Sequence, residues 1–234
     1  MSRYFALIPA AGSGSRLGGA IPKQYLPLAG KPMILRTIDQ LTRVKGLAHV
    51  FVLLAPDDEH WAGMPGDLPD GVSVLRCGGT TRAATVQQGL ESIAGQVQPD
   101  DWVLVHDAAR PCVDPERIEA MMSQLGNDAV GGLLALKVPD TIKRGNDDGV
   151  VETVSRENLW LAQTPQMFRY GLLRQALERS PAEGITDEAQ AIEVMGLMPR
   201  LVPSDASNLK VTYLEDLALA EAILLSRAGK KGRL

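Results

Sequence analysis

Residues 3–23 read RYFALIPAAGSGSRLGGAIPK. The apolar run at 3–9 stops at a proline and then a glycine, the pattern of a short buried strand that feeds a tight loop. The loop is rich in glycine and serine and carries two cations, Arg16 and Lys23. Four further runs of the same kind follow at 49–56 (HVFVLLAP), 72–77 (VSVLRC), 101–107 (DWVLVHD) and 129–136 (AVGGLLAL). Helical periodicity falls between them at 33–43, 81–93 and 115–125, the last opened by Asp114 as N-cap and Pro115 at the first helical position. Strands that alternate with helices imply right-handed crossovers and a mostly parallel, twisted sheet covered on both faces, a Rossmann-like α/β fold. Ligands of such sheets sit beyond the carboxyl ends of the strands. PAAGSG (9–14), CGGTTR (77–82) and HDAARP (106–111) all fall there.

Composition narrows the function classes. With 234 residues, 45% hydrophobic and 22% charged, the chain reads as one globular unit spanning 1–234. A chain of this size buries about 70% of its unfolded surface. No apolar run approaches the roughly 18 residues of a membrane span, and the first one is too short for a signal peptide, so a cytoplasmic protein is expected, without a membrane partner. The net charge of −4 supplies no basic field for nucleic acid. Any anion has to be held by local groups. Cys77 and Cys112 are too few for a metal cluster, and a disulfide would be unusual in the cytoplasm, so both read as small, partly buried residues.

The pattern changes over 137–160, where two short β-type runs flank GNDDG, a hairpin signal. The ribbon is polar, and an isolated two-stranded ribbon is marginal in water. A homodimer arm is therefore expected, with a surface flap on a monomer as the alternative. Helices near 171–178 and 186–195, a strand near 200–203 and a closing amphipathic helix over 213–227 complete the chain.

Two familiar glycine loops fail on the opening stretch. A P-loop requires Lys-Ser/Thr after Gly19, where Ala20 and Ile21 stand. A dinucleotide fingerprint beginning Gly12, Gly14 requires glycine at position 17, which is Leu17. What remains is a glycine turn whose backbone N–H groups approach a ligand closely, with Arg16 and Lys23 nearby.

PAAGSGSRLGGAIPKQY resembles the nucleotide-binding signature of the sugar-phosphate nucleotidyltransferase superfamily. With GGTTRAATV, LVHDAARP, DTIKR, TPQMF, ITDEA and NLKVT in this order, the chain is similar to the 2-C-methyl-D-erythritol 4-phosphate cytidylyltransferase family, over nearly its whole length. The resemblance implies transfer of a cytidylyl group from CTP to methylerythritol phosphate, release of pyrophosphate, a requirement for Mg2+ or another hard divalent cation, and a homodimer with a shared active site.

The resemblance also assigns roles. Arg16, Lys23 and Lys210 would contact phosphates and stabilise the transition state. Ala10, Ala11 and Gly79 would read cytosine through their backbone, helped by Gly12, Gly14, Thr80 and Thr85. Asp107 would hold the metal. Asp107, Arg110, Thr141, Arg156, Thr164 and Lys210 would bind the acceptor, with Thr141 and Arg156 reaching the other subunit's site from the two ends of the arm. Relatives commonly carry serine at the position of Thr85 and an acid at that of Thr80, so the hydroxyl at 85 is kept and the charge at 80 is not. Ser15 stands where some relatives carry arginine. Arg82 reads equally as a scaffold cation and Asp187 equally as a helix cap or a site residue, while the capping box at Thr186 is only half present.

The chemistry suits these residue types. The attacking phosphate monoester has a second pKa of about 6, so it is already mostly dianionic at neutral pH and needs no general base. Of the three histidines only His106 stands in a motif. A cytidylyltransferase for another polyol phosphate, such as ribitol 5-phosphate, would share the CTP half and differ in the acceptor pocket. A nucleotide-binding regulatory module would not need Lys23, Asp107 and Lys210 together.

Overall fold

A computed structural model describes residues 2–12, 21–180 and 184–231. In chain order the elements are β1 (Tyr4–Pro9), β2 (Pro27–Leu28), β3 (Lys31–Pro32), α1 (Met33–Leu41), β4 (Leu47–Leu53), β5 (Val72–Leu75), α2 (Arg82–Ser92), β6 (Trp102–Val105) and α3 (Pro115–Leu125). There follow β7 (Gly131–Lys137), β8 (Ile142–Asn146), β9 (Gly149–Val154), β10 (Trp160–Arg169), α4 (Tyr170–Arg179), α5 (Glu188–Val194), β11 (Arg200–Pro203) and α6 (Leu214–Lys231). Seven strands form the central sheet in the order β11-β7-β10-β6-β1-β4-β5. Neighbours run parallel except at β10, which is antiparallel to both β6 and β7. The expected mostly parallel α/β sheet is the observed one.

Period-2 alternation puts successive residues of β1 into different cores. Ala6 and Ile8 join Ile34, Ile38 and Leu41 of α1 and Ile118, Met121 and Leu125 of α3. Phe5 and Leu7 face the other way, onto Val86 and Leu90 of α2, Leu173 and Leu177 of α4 and Ile192 of α5. Each fully buried Val, Leu, Ile, Phe or Met side chain contributes about 1.5–3 kcal/mol. A third cluster seats α6 through Ala220 on Leu28, Met33, Cys112 and Val211, which carries the segment before α6 across the carboxyl end of the sheet.

The helix starts follow their caps. Asp114 accepts from Glu116 N–H at 3.0 Å, and Thr81 accepts from Ala84 N–H at 3.1 Å. The helix expected at 186–195 begins later, at Glu188, because Asp187 is the N-cap and accepts from Gln190 N–H at 3.0 Å.

Strand β10 has no counterpart in the expected element list. Pro165 interrupts its run, a feature that normally demotes a central strand. Here the ladder to β7 shifts register between Ala162 and Gln166, so the proline sits in an irregularity instead of a regular pair.

The hairpin β8–β9 forms its own two-stranded sheet, paired from Ile142↔Val154 to Asn146↔Gly149. It is less polar on its surface than its sequence suggests, since Val150 and Val151 are 67% and 62% exposed. Cys112 is buried and Cys77 partly so, and both are free thiols. Among the described residues no helix is long and apolar enough to cross a membrane.

Candidate active site

Beyond the carboxyl ends of β1 and β6 and the loop that follows β5 lies a cleft of about 580 Å³. Its lining brings together Ala10, Ala11 and Gly12 after β1, Lys23 and Gln24 of the next turn, Gly79 to Arg82 and Thr85 at the start of α2, Asp107 to Ala109 after β6, and Lys210. Of the residues expected at the site, Ala10, Ala11, Gly12, Lys23, Gly79, Thr80, Thr85, Asp107 and Lys210 therefore share one cavity. Gly14 and Arg16 lie outside the described residues.

The segment that leads from β1 into the glycine turn, Ala10 to Gly12, is held by Gln24, which stands in no position the sequence marks for a site role. Its amide donates to Ala10 O at 2.9 Å and Gly12 O at 3.0 Å, and the side chain is buried. Ala10 N–H donates to Leu53 O at 2.8 Å, extending the β1–β4 ladder by one step. On the opposite wall Gly79 N–H donates to Thr85 Oγ1 at 3.1 Å, while the Thr85 hydroxyl donates to Thr81 O at 2.9 Å. Gly78 is confined there as well. A Cβ on it would stand 2.3 Å from the Ala11 methyl and 2.8 Å from Leu54 O, so only glycine lets this wall pack against Ala11.

Asp107 is the electrostatic centre. Lys210 Nζ stands 2.7 Å from its Oδ2 and Arg82 Nε 3.0 Å from its Oδ1, with Arg110 Nε at 3.8 Å. Burial alone would raise the Asp107 pKa, but the cations Arg82, Lys210 and Arg110 hold it well below the usual carboxylate range. The backbone is fixed too, since Asp107 N–H donates to Thr164 Oγ1 at 3.0 Å.

Arg82 bridges two carboxylates. Besides Asp107, its Nη1 and Nη2 meet Glu188 Oε1 and Oε2 at 2.6 and 3.0 Å. Burial pulls its pKa down, and Glu188 followed by Asp107 more than reverses this. Lys23 Nζ donates to Val211 O at 3.1 Å, tying the first loop to the segment that carries Lys210.

Arg110 and Thr164 lie beneath this floor. Arg110 is 8% exposed and donates to Asn208 O at 2.6 Å, while Asn208 Nδ2 donates to Thr164 O at 2.8 Å. His106 is fully buried, with Nε2 at 3.1 Å from Arg110 O and Nδ1 at 3.1 Å from Thr164 Oγ1. Its pKa is lowered to about 4, chiefly by burial. It is a neutral structural imidazole at neutral pH.

Thr141 and Arg156 are exposed at the base of the hairpin, outside the lining of the cleft, and an Arg156 guanidinium N–H donates to Pro139 O. Asp187 caps α5 and receives Gln166 Nε2 at 2.9 Å. Glu188 and Asn208 were not singled out from the sequence. Glu188 stands inside the quoted ITDEA and Asn208 inside NLKVT, so membership of those blocks was the signal available.

Among the described residues no three His, Cys, Asp or Glu side chains gather as a metal cage. The single carboxylate of Asp107 fits a different mode, in which Mg2+ takes one or two carboxylates and fills its shell with phosphate oxygens and water.

A family profile described as "IspD: 2-C-methyl-D-erythritol 4-phosphate cytidylyltransferase" matches residues 4–226. A 2-C-methyl-D-erythritol 4-phosphate cytidylyltransferase of Dechloromonas aromatica is 51% identical over 229 residues, covering 97% of this chain and 100% of the relative. One from Aromatoleum aromaticum is 54% identical over 227 residues, covering 96% and 97%. Among solved structures, a 4-diphosphocytidyl-2C-methyl-D-erythritol synthase superposes with a TM-score of 0.85 at 38% identity, covering 96% of this chain and 99% of the other. The Francisella tularensis 2-C-methyl-D-erythritol 4-phosphate cytidylyltransferase gives 0.81 at 35%, covering 95% and 100%.

Proposed function

This chain belongs to the 2-C-methyl-D-erythritol 4-phosphate cytidylyltransferase family, and from that premise we infer how its cleft transfers the cytidylyl group of CTP to 2-C-methyl-D-erythritol 4-phosphate with release of pyrophosphate. The observation that carries the reading is that Lys23 and Lys210, the latter on Asp107, line one cleft with the backbone of Ala10, Ala11, Gly12 and Gly79. The problem in this reaction is repulsion between an anionic nucleophile and an anionic α-phosphate. Fixed cations and N–H donors answer it, as they do in phosphoryl transfer generally.

The acceptor phosphate arrives already ionised, so no side chain has to remove a proton. His106 fits this reading: it is buried, and both ring nitrogens are engaged. Lys23 and Lys210, together with Arg16, bind the triphosphate and stabilise charge at the α-phosphate. Cytosine meets the backbone of Ala10, Ala11 and Gly79. Gln24 orients the first of these walls and Thr85 the second. A mismatched buried polar group costs about 1–3 kcal/mol, enough to separate cytosine from uracil.

Asp107 is the residue that would hold Mg2+, which when bound neutralises phosphate charge. For the acceptor, Lys210 acts at the cleft, while Arg110 and Thr164 act from beneath it through Asn208 and Asp107. We take residues 137–160 as an arm on a single nucleotidyltransferase unit, with Thr141 and Arg156 completing the acceptor site of a partner subunit in a homodimer. The exposed Val150 and Val151 give that arm an apolar surface to bury.

The test is pyrophosphate release from CTP across a panel of polyol phosphates. Release with methylerythritol phosphate, well above that with ribitol 5-phosphate, is the expected result. No release with methylerythritol phosphate would refute the reading.

A further inference from the structure

Glu188 is 1% exposed, more buried than Asp107 at 7%, and it is not among the residues assigned a part in the reaction above. Its two oxygens occupy both terminal nitrogens of Arg82, whose remaining nitrogen lies on Asp107. Arg82 lines the cleft, yet its whole fork is spent on two carboxylates from different elements. The base of α5 is pinned to β10 as well. Gln166 donates to Asp187 Oδ2 at 2.9 Å and accepts from Ala189 N–H at 2.7 Å. Two separate lines thus converge on Asp107, one from Thr164 to its N–H and one from Glu188 through Arg82 to its Oδ1.

A buried ion pair is a poor way to gain stability, because desolvation offsets most of the attraction. A planar fork is a good way to fix direction, because bidentate geometry leaves the guanidinium one orientation. We propose that Glu188 is a positioning residue for cytidylyl transfer: by gripping both terminal nitrogens of Arg82 it keeps that cation off the triphosphate and aims Nε at Asp107. The proposal rests on the function inferred above. Without Glu188, the two terminal nitrogens of Arg82 lose their partner and Asp107 alone remains on Nε, so the guanidinium is free to turn into the cleft. The triphosphate would then be held as well as before or better, but in a geometry that is less productive.

The test uses the full chain with CTP and methylerythritol phosphate, comparing wild type, E188Q, R82K and the double variant. Loss of an outer-shell partner typically costs about 10–100-fold, so kcat of E188Q should fall by that much while KM for CTP stays level or drops. R82K keeps the charge but cannot span both carboxylates, so it should show the same split even where E188Q folds poorly. The double variant should be no worse than the worse single one, since both changes break one device. A kcat within about twofold of wild type in the folded single variants, a rise in KM alone, or losses that multiply in the double variant would overturn the proposal. Absence of turnover in the wild type itself would instead count against the inferred function.

Discussion

Lys210 Nζ lies 2.7 Å from Asp107 Oδ2, and the lysine side chain is 38% exposed where the aspartate's is 10%. The lysine is thus the accessible partner of a buried anchor, placed to transfer its contact to an incoming phosphate. Removing one transition-state donor commonly costs about 100–1000-fold, so Lys210→Ala should lose kcat on that scale. Its urea midpoint should move little, because Asp107 keeps Arg82 as a partner at 3.0 Å and is not left unpaired. Turnover near wild type would remove Lys210 from the reaction.

The Thr85 hydroxyl is the acceptor for Gly79 N–H. Thr85→Val keeps the shape and deletes the acceptor, leaving a donor unpaired at a cost of about 1–3 kcal/mol. We expect kcat/KM for CTP to fall correspondingly, while Thr85→Ser stays close to wild type. Equal behaviour of the two variants in steady-state kinetics would show that the hydroxyl does not shape this wall.

Arg156 lies outside the cleft of its own chain, whereas Lys23 lines it. If the site is shared between subunits, Arg156→Ala and Lys23→Ala chains should each be poorly active alone. Mixed under conditions of subunit exchange, they should recover activity in hybrid dimers. Exchange proven by mass spectrometry, without recovery, would argue that each chain works by itself.

His106 has a folded-state pKa of about 4, lowered first by burial from an ordinary value of 6.5. A depressed histidine pKa means that the unfolded chain binds the proton more readily. The stability it represents is complete above pH 6.5 and is lost as pH falls from there toward 4, on the order of 3 kcal/mol in total. In an NMR titration the His106 ring should remain neutral at pH 5.5. An inflection between pH 6 and 7 would contradict this.

Much of the scaffold was legible because its signals are local. The apolar runs of β1 and β6, the cap at Asp114 and the glycine loop each depend on neighbours within a few residues, whereas the cap at Thr81, read as the first helical residue, shows only in the structure. Strand β10 was not, because its polar residues are satisfied only by distant partners. Gln163 donates to Asp205 O, Thr164 meets Asp107 N–H, and Gln166 grips the start of α5. The same holds at the cleft. The ordered blocks pointed to Lys23, Asp107 and Lys210, but that Arg110 Nη1 donates to Asn208 O, 98 positions away, and that Glu188 holds Arg82 from 106 positions away, emerges only in three dimensions.

In the inferred reaction, phosphate charge is met by Lys23 and Lys210 of this cleft. A crystal structure with CTP and a divalent cation tests that most directly. The triphosphate should run past Lys23 toward Lys210 and Asp107, with cytosine against Ala10, Ala11 and Gly79. A nucleotide whose triphosphate points away from Lys23 and Lys210 would contradict it.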